Sequence, residues 1–292
     1  MTVVRTTGER GIQWDVPAPR KLCCRLICRC VLSLLLGGAV CAVAQPASGA
    51  NGALPDAPQA QSENDVSIRA LPVNILHDQK TIWTSPFHLR AGDLKVLVPL
   101  LAATGAAIAT DERALRDVVS HDPGFNNANT NASNVMIGGF IAAPVIFYGV
   151  GHFHDNEHAR ETGLLGAEAL LDGVAVEQGM KLIFWRERPN QDEGHGHFFQ
   201  SSAGWDSSFP SSHSMLAWSE AAVIAGEYRQ PWTQVLVYTG AAGISLTRIM
   251  GQQHFPADVL VGSACGWLVG HYVYKHRHRY ESSRGEVRPV SR

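Results

Sequence analysis

Residues 163–184, GLLGAEALLDGVAVEQGMKLIF, decide the fold. The run is too long for a strand, lacks the alternation of a half-buried strand, and therefore reads as a helix. It carries Glu168, Asp172, Glu177 and Lys181, charges that are costly against lipid or in an apolar core unless partnered, so they must point into a bundle or cavity. Five further apolar stretches share its character: Val96–Thr110, Val135–Gly151, Ser214–Tyr228, Trp232–Met250 and Val259–Tyr274. The gaps between them are polar or rich in Pro, Asn, Asp and Gly, as breakers between helices are. The expected fold is an all-α bundle of about six apolar helices, membrane-associated, with its main domain over residues 95–280 and a polar tail at 281–292.

Toward the N-terminus, Arg20, Lys21, Arg25 and Arg29 precede an apolar run from Val31 to Ala44 that ends in Ala42-Val43-Ala44. Basic residues, an apolar run and small residues before a cut make a signal peptide over 1–44, with cleavage before Gln45 and export of the mature chain. An uncleaved anchor is the rival reading. Five of the six cysteines, Cys23, Cys24, Cys28, Cys30 and Cys41, lie in this leader. The mature chain keeps Cys265 and can form no internal disulfide. Residues 45–64 are a Pro, Ala, Ser, Gly and Gln linker. Up to residue 94 follows a lead-in, where Ile82, Trp83, Pro86 and Phe87 signal a short packed element.

Composition excludes one class of partner. Over 292 residues the net charge is -2 and 17% of residues are charged, which leaves no basic stripe for nucleic acid. A mean hydropathy of -0.04 is low for a chain made mainly of lipid-embedded helices. Lys275, Arg277 and Arg279 favour a cytoplasmic C-terminus. With the mature N-terminus outside, the number of spans must be odd, and Val96–Thr110, short and holding Pro99, is the stretch expected not to cross. Five spans, or a soluble periplasmic bundle, both leave the site outside the cytoplasm.

Three clusters carry chemistry. Lys181 and Arg188-Pro189 are seven positions apart, close to two helical turns, and would lie on one face if the helix ran that far. Alone they read rather as a solvated basic helix end. Pro210-Ser211-Ser212-His213 stands just before an apolar helix, where Ser caps the start and free N–H groups of the first turn form an anion site. His213 there is placed to protonate a leaving oxygen, though a plain cap with an incidental His has the same look. Thr247-Arg248 and His254-Phe-Pro-Ala-Asp258 complete the set. A carboxylate accepting from one imidazole nitrogen fixes the tautomer and leaves the other nitrogen to attack, and Arg248 offers a fork of donors for phosphate oxygens. A structural His/Asp hydrogen bond is the alternative. Asp192, Glu193, His195 and His197, like His152, His154 and His158, mimic metal-ligand spacing but sit in polar connections.

Taken together and in order, Lys181, Arg188-Pro189, Pro210-Ser211-Ser212-His213, Thr247-Arg248, His254 and Asp258 resemble the type 2 phosphatidic acid phosphatase superfamily, which includes acid and lipid phosphatases and shares its site with vanadium haloperoxidases. Two positions depart from the family pattern, Ser212 for Gly and Thr247 for Ser. The resemblance implies a metal-independent hydrolase of phosphomonoesters or lipid phosphates. In it His254 forms a phosphohistidine, Asp258 orients His254 and His213 protonates the leaving alcohol. Lys181, Arg188, Ser211, Ser212 and Arg248 hold the phosphoryl oxygens. No cofactor is implied. Vanadate enters only if the chain is a haloperoxidase, and an inactive membrane scaffold is a further alternative.

Overall fold

The computed structural model describes residues 67–190, 194–200 and 207–279. The expected signal peptide, the linker at 45–64, the five leader cysteines, Asp192, Glu193 and the tail at 281–292 lie outside the described residues. Those described form seven α-helices and no strand: α1 (Leu71–Thr84), α2 (Leu94–Val118), α3 (Pro123–Phe153), α4 (Glu157–Phe184), α5 (Ser212–Glu227), α6 (Pro231–Met250) and α7 (Pro256–Arg277). Each of the six apolar stretches falls in one of α2 to α7, with only Tyr228 lying just past the end of α5. The lead-in contributes α1, followed by a 3-10 turn at Ser85–His88.

Helix α4 packs against α1, α3, α5 and α7. Glu168, Asp172, Glu177 and Lys181 are all buried, as their sequence context requires, and each meets a polar partner. Asn74 Nδ2 of α1 donates to Glu168 Oε2 at 3.2 Å, Gln79 Nε2 donates to Asp172 Oδ1 at 2.8 Å, and Lys181 Nζ pairs with Glu177 Oε1 at 2.8 Å. Helix α1 is thus held to α4 by side-chain hydrogen bonds to two buried carboxylates.

The closest helix pair is α5 against α7, and two glycines of α7 are the reason. A Cβ at Gly266 would stand 2.2 Å from the carbonyl oxygen of Met215, and one at Gly270 would stand 2.1 Å from that of Ser219. Any side chain there would push the helices apart, and small residues are what let two helix backbones approach this closely. The contact brings the first turns of α5 and α7 together: Ser211 N donates to the Asp258 carbonyl at 3.0 Å.

Helices α2 and α3 differ from the rest. Both are long and apolar enough to cross a membrane by length and composition, and only 6% and 17% of their most apolar windows are buried. Val96, Leu101, Val135 and Val145 are among the side chains they expose. Contiguous exposed apolar surface marks a membrane or partner interface. The stretch expected not to cross, Val96–Thr110, therefore lies in one of the two helices best suited to do so; it is lengthened to 25 residues, with Pro99 in its second turn. Arg277, one of the three basic residues near the C-terminal end, packs inward. It is buried, with Nη2 on Asp78 Oδ1 at 2.8 Å and Nε on Glu168 Oε1 at 3.0 Å.

Candidate active site

Helices α4, α5, α6 and α7 deliver the sequence-predicted residues to one end of the bundle. Lys181, Arg188, Ser212, His213, Arg248 and His254 line an open cavity of about 380 Å³, together with Asn190 and Gln253. Lys181 and Arg188 do not share a helix face. Helix α4 stops at Phe184, because Trp185 takes a left-handed conformation (φ 38°, ψ 52°) with its N–H on the Lys181 carbonyl. Arg188 reaches the cavity from the chain that follows and donates through Nη1 to the Gln253 carbonyl at 3.3 Å.

Ser211 is the N-cap of α5, as expected, but its side chain makes no capping bond. Its Oγ instead accepts from Ser214 Oγ at 3.2 Å. The first-turn N–H groups therefore keep their capacity for an anion. Ser212 Oγ accepts from Lys181 Nζ at 3.0 Å and donates to Glu177 Oε1 at 2.6 Å, so it locates the lysine head. Ser211 itself is fully buried and does not line the cavity.

His254 is buried, and its Nδ1 lies 2.8 Å from the Ser208 carbonyl oxygen. Asp258 Oδ2 is 3.6 Å from the same nitrogen, beyond hydrogen-bond range. The expected Asp258–His254 bond is thus replaced by a main-chain acceptor. Asp258 is otherwise engaged: Oδ1 accepts from Arg186 Nη1 at 2.7 Å, while Oδ2 accepts from the Phe255 N–H at 2.9 Å and from the Ser208 hydroxyl. It closes the start of α7 and fixes the segment that carries the Ser208 carbonyl.

Electrostatics follow from burial beside three cations. Burial, then Arg188, Arg248 and Lys181, hold the His254 imidazolium well below its usual range, so the ring is neutral at pH 7. A carbonyl can only accept, so Nδ1 carries the proton and Nε2 is the bare nitrogen. His213 is pushed down to about 4 by burial and by Arg248, Arg188 and Lys181. Burial raises the Asp258 carboxyl, opposed by Arg186 and the Ser208 hydroxyl.

Several partners carry no signal in the sequence motifs. Arg186 is buried between Phe198 and Phe255, its guanidinium carbon 4.6 and 4.1 Å from the two ring centroids. It joins Asp258 to Asp111 of α2, with Nη2 on Asp111 Oδ2 at 2.8 Å. Asn134 of α3 accepts through Oδ1 from His213 Nε2 at 2.9 Å and faces Arg248 Nη1 at 3.5 Å. Ser133 accepts from the same Arg248 nitrogen at 3.2 Å. An Arg next to a basic motif and an Asn inside an apolar helix are the only hints, and neither points to a partner.

The other histidines are apart from this cavity. His195 and His197 stack at 5.7 Å, with His195 Nδ1 3.7 Å from Glu112. His152 and His154 lie at the end of α3. His158 belongs to the first turn of α4.

Residues 162–281, which carry the three cations and both cavity histidines, match the model of a known family, the PAP2 superfamily. Lipid A 1-phosphatase of Porphyromonas gingivalis is 34% identical over 117 residues, which make up 38% of this chain and 23% of that protein; the match thus spans under a quarter of the relative's length. Among solved structures, a transmembrane PAP2-type phosphatidylglycerolphosphate phosphatase from Bacillus subtilis shows a TM-score of 0.38 and 18% identity, covering 71% of this chain and 94% of that one. All eight sequence-predicted site residues lie inside the PAP2 region, whereas Asp111, Ser133 and Asn134 reach the site from helices that precede it.

Proposed function

We propose that the chain is a PAP2-type phosphatase that removes phosphate from a lipid phosphate through a phosphohistidine on His254. The observation that carries this reading is the Ser208 carbonyl on His254 Nδ1, which makes Nε2 the nucleophile inside a cavity lined by Lys181, Arg188 and Arg248. Nε2 attacks phosphorus while the three cations and the first-turn N–H groups of α5 hold the phosphoryl oxygens, whose charge they stabilise in the transition state. Bound phosphate offsets the cations that depress His213, so that His213 takes up the proton it then delivers to the leaving alcohol oxygen. Water next attacks the phosphohistidine, His213 accepts its proton, and phosphate leaves with neutral His254 restored. These charges come from the chain, and we infer that turnover needs neither metal nor other cofactor.

A lipid substrate is supported by the exposed apolar faces of α2 and α3 and by likeness to a lipid A 1-phosphatase. The signal-peptide pattern supports a site on the extracytoplasmic side. Phosphate release from phosphatidic acid in micelles and from a soluble aryl phosphate, with wild type and His254→Ala in the presence of a chelator, tests the reading. Quenching with labelled substrate should trap an acid-labile, base-stable phosphoenzyme in wild type only. Turnover by His254→Ala comparable to wild type would overturn the assignment.

A further inference from the structure

The ends of α4, α5 and α7 remote from His254 hold a second set of functional side chains. Along α4, Glu161 and Lys181 are 20 residues apart, roughly 30 Å of helix. At that far end, His158 and Glu161 of α4 meet Glu227, the last residue of α5, and His278, just past α7. His158 Nε2 lies 3.0 Å from Glu227 Oε2, and His278 Nδ1 lies 2.8 Å from Glu227 Oε1 and 3.5 Å from Glu161 Oε1. The Glu227 side chain is fully buried, and the other three are 14 to 25% exposed, which leaves a way in for a small ion.

We propose that His158, Glu161, Glu227 and His278 form a binding site for a divalent transition metal, Zn²⁺ by donor chemistry, that clasps three helix ends together. Glu161, Glu227 and His278 each offer one donor atom, all within 4.8 Å of one another, and His158, 3.0 Å from the second Glu227 oxygen, adds a fourth N or O donor, the number a structural Zn²⁺ takes. Tetrahedral ligands at Zn–N and Zn–O bonds of about 2.0–2.1 Å stand roughly 3.3 Å from one another. The His278–Glu227, His158–Glu227 and His278–Glu161 contacts, at 2.8, 3.0 and 3.5 Å, are near that spacing. The other acidic group, Asp78, Glu168 and Asp172, already holds the Arg277 guanidinium on Asp78 and Glu168. Oxygen-only Mg²⁺ and Ca²⁺ chemistry fits the two imidazoles poorly.

The test uses the full-length protein, stripped with chelator, desalted and titrated with Zn²⁺ against a chromophoric competitor. One tight equivalent per chain and a Tm raised by several degrees are expected, as for any ligand that binds the folded state alone. His278→Ala and Glu227→Gln should each weaken that equivalent more than about 10-fold. His213→Ala, which alters the cavity at the other end, should keep it. Because either clasp variant could unfold, Co²⁺ is loaded into wild type as a second readout, where the intense visible bands of a four-coordinate site are expected. Absence of a tight equivalent, its retention in both clasp variants, its loss in His213→Ala, or a weak six-coordinate Co²⁺ spectrum overturns the proposal. Loss of phosphatase activity in His254→Ala has no bearing on this outcome, so the two readings fail separately.

Discussion

His254 Nδ1 lies 2.8 Å from the carbonyl oxygen of Ser208, while the Asp258 carboxylate stands off at 3.6 Å. In a triad whose carboxylate alone sets the imidazole tautomer, changing that Asp to Asn costs about 10⁴ in kcat. Here the carbonyl keeps the tautomer whatever stands at 258. Asp258→Asn is therefore expected to lose less than about 100-fold in kcat at a temperature where it is folded. Its main defect should be stability, because it weakens the bond to Arg186. Steady-state kinetics beside thermal unfolding separates the two, and a 10⁴-fold fall in a folded variant would return the tautomer to Asp258.

Arg186 holds Asp258 at 2.7 Å and Asp111 at 2.8 Å with different nitrogens of one guanidinium. Arg186→Met leaves both carboxylates buried without it. Removing one partner of a buried pair costs about 3–5 kcal/mol. A Tm lowered accordingly is expected, and Arg186→Lys should recover little of it, since a single ammonium cannot reproduce the fork.

His213 is held down to about 4 against an ordinary 6.5 by burial and three cations. Its unfolded form binds more protons across that window, so this contribution to stability is complete above pH 6.5 and is lost as pH falls through about 4. Asn134→Asp sets a carboxylate 2.9 Å from His213 Nε2 and should raise the imidazole. The descending limb of kcat/KM should move to higher pH, and the acid loss of Tm attributable to His213 should shrink. A pH profile identical to wild type would remove Asn134 from this role.

Ser212 links Lys181 to Glu177. Ser212→Gly removes one of two anchors on the lysine head. A net hydrogen bond is worth about 1 kcal/mol, so KM should rise about 5-fold with kcat nearly unchanged. A fall in kcat alone would mean that the hydroxyl acts in the transition state.

Much of this was legible in the residues themselves. Six apolar runs with breaker-rich gaps specify six helices, because helix length and apolar content are local properties. Glu168, Asp172, Glu177 and Lys181 inside one such run require an inward face, and all four are buried. Spacing also brought Lys181, Arg188, Ser212, His213, Arg248 and His254 to one cavity. It could not show that α4 ends at a left-handed Trp185, which no glycine announces, so that Arg188 arrives from a different direction.

What only tertiary structure decided is who touches whom across long separations. The acceptor on His254 is a backbone carbonyl 46 positions away, and every residue has a carbonyl, so no side-chain pattern can single out Ser208. Arg186, Asn134 and Asp111 became parts of the site because α2, α3 and the α5–α7 glycine contact fold onto it. The sequence alone determined which helices form and which side chains bear the charge. Packing decided which lone pair on His254 is left bare, because that depends on an acceptor the chain supplies only once it is folded.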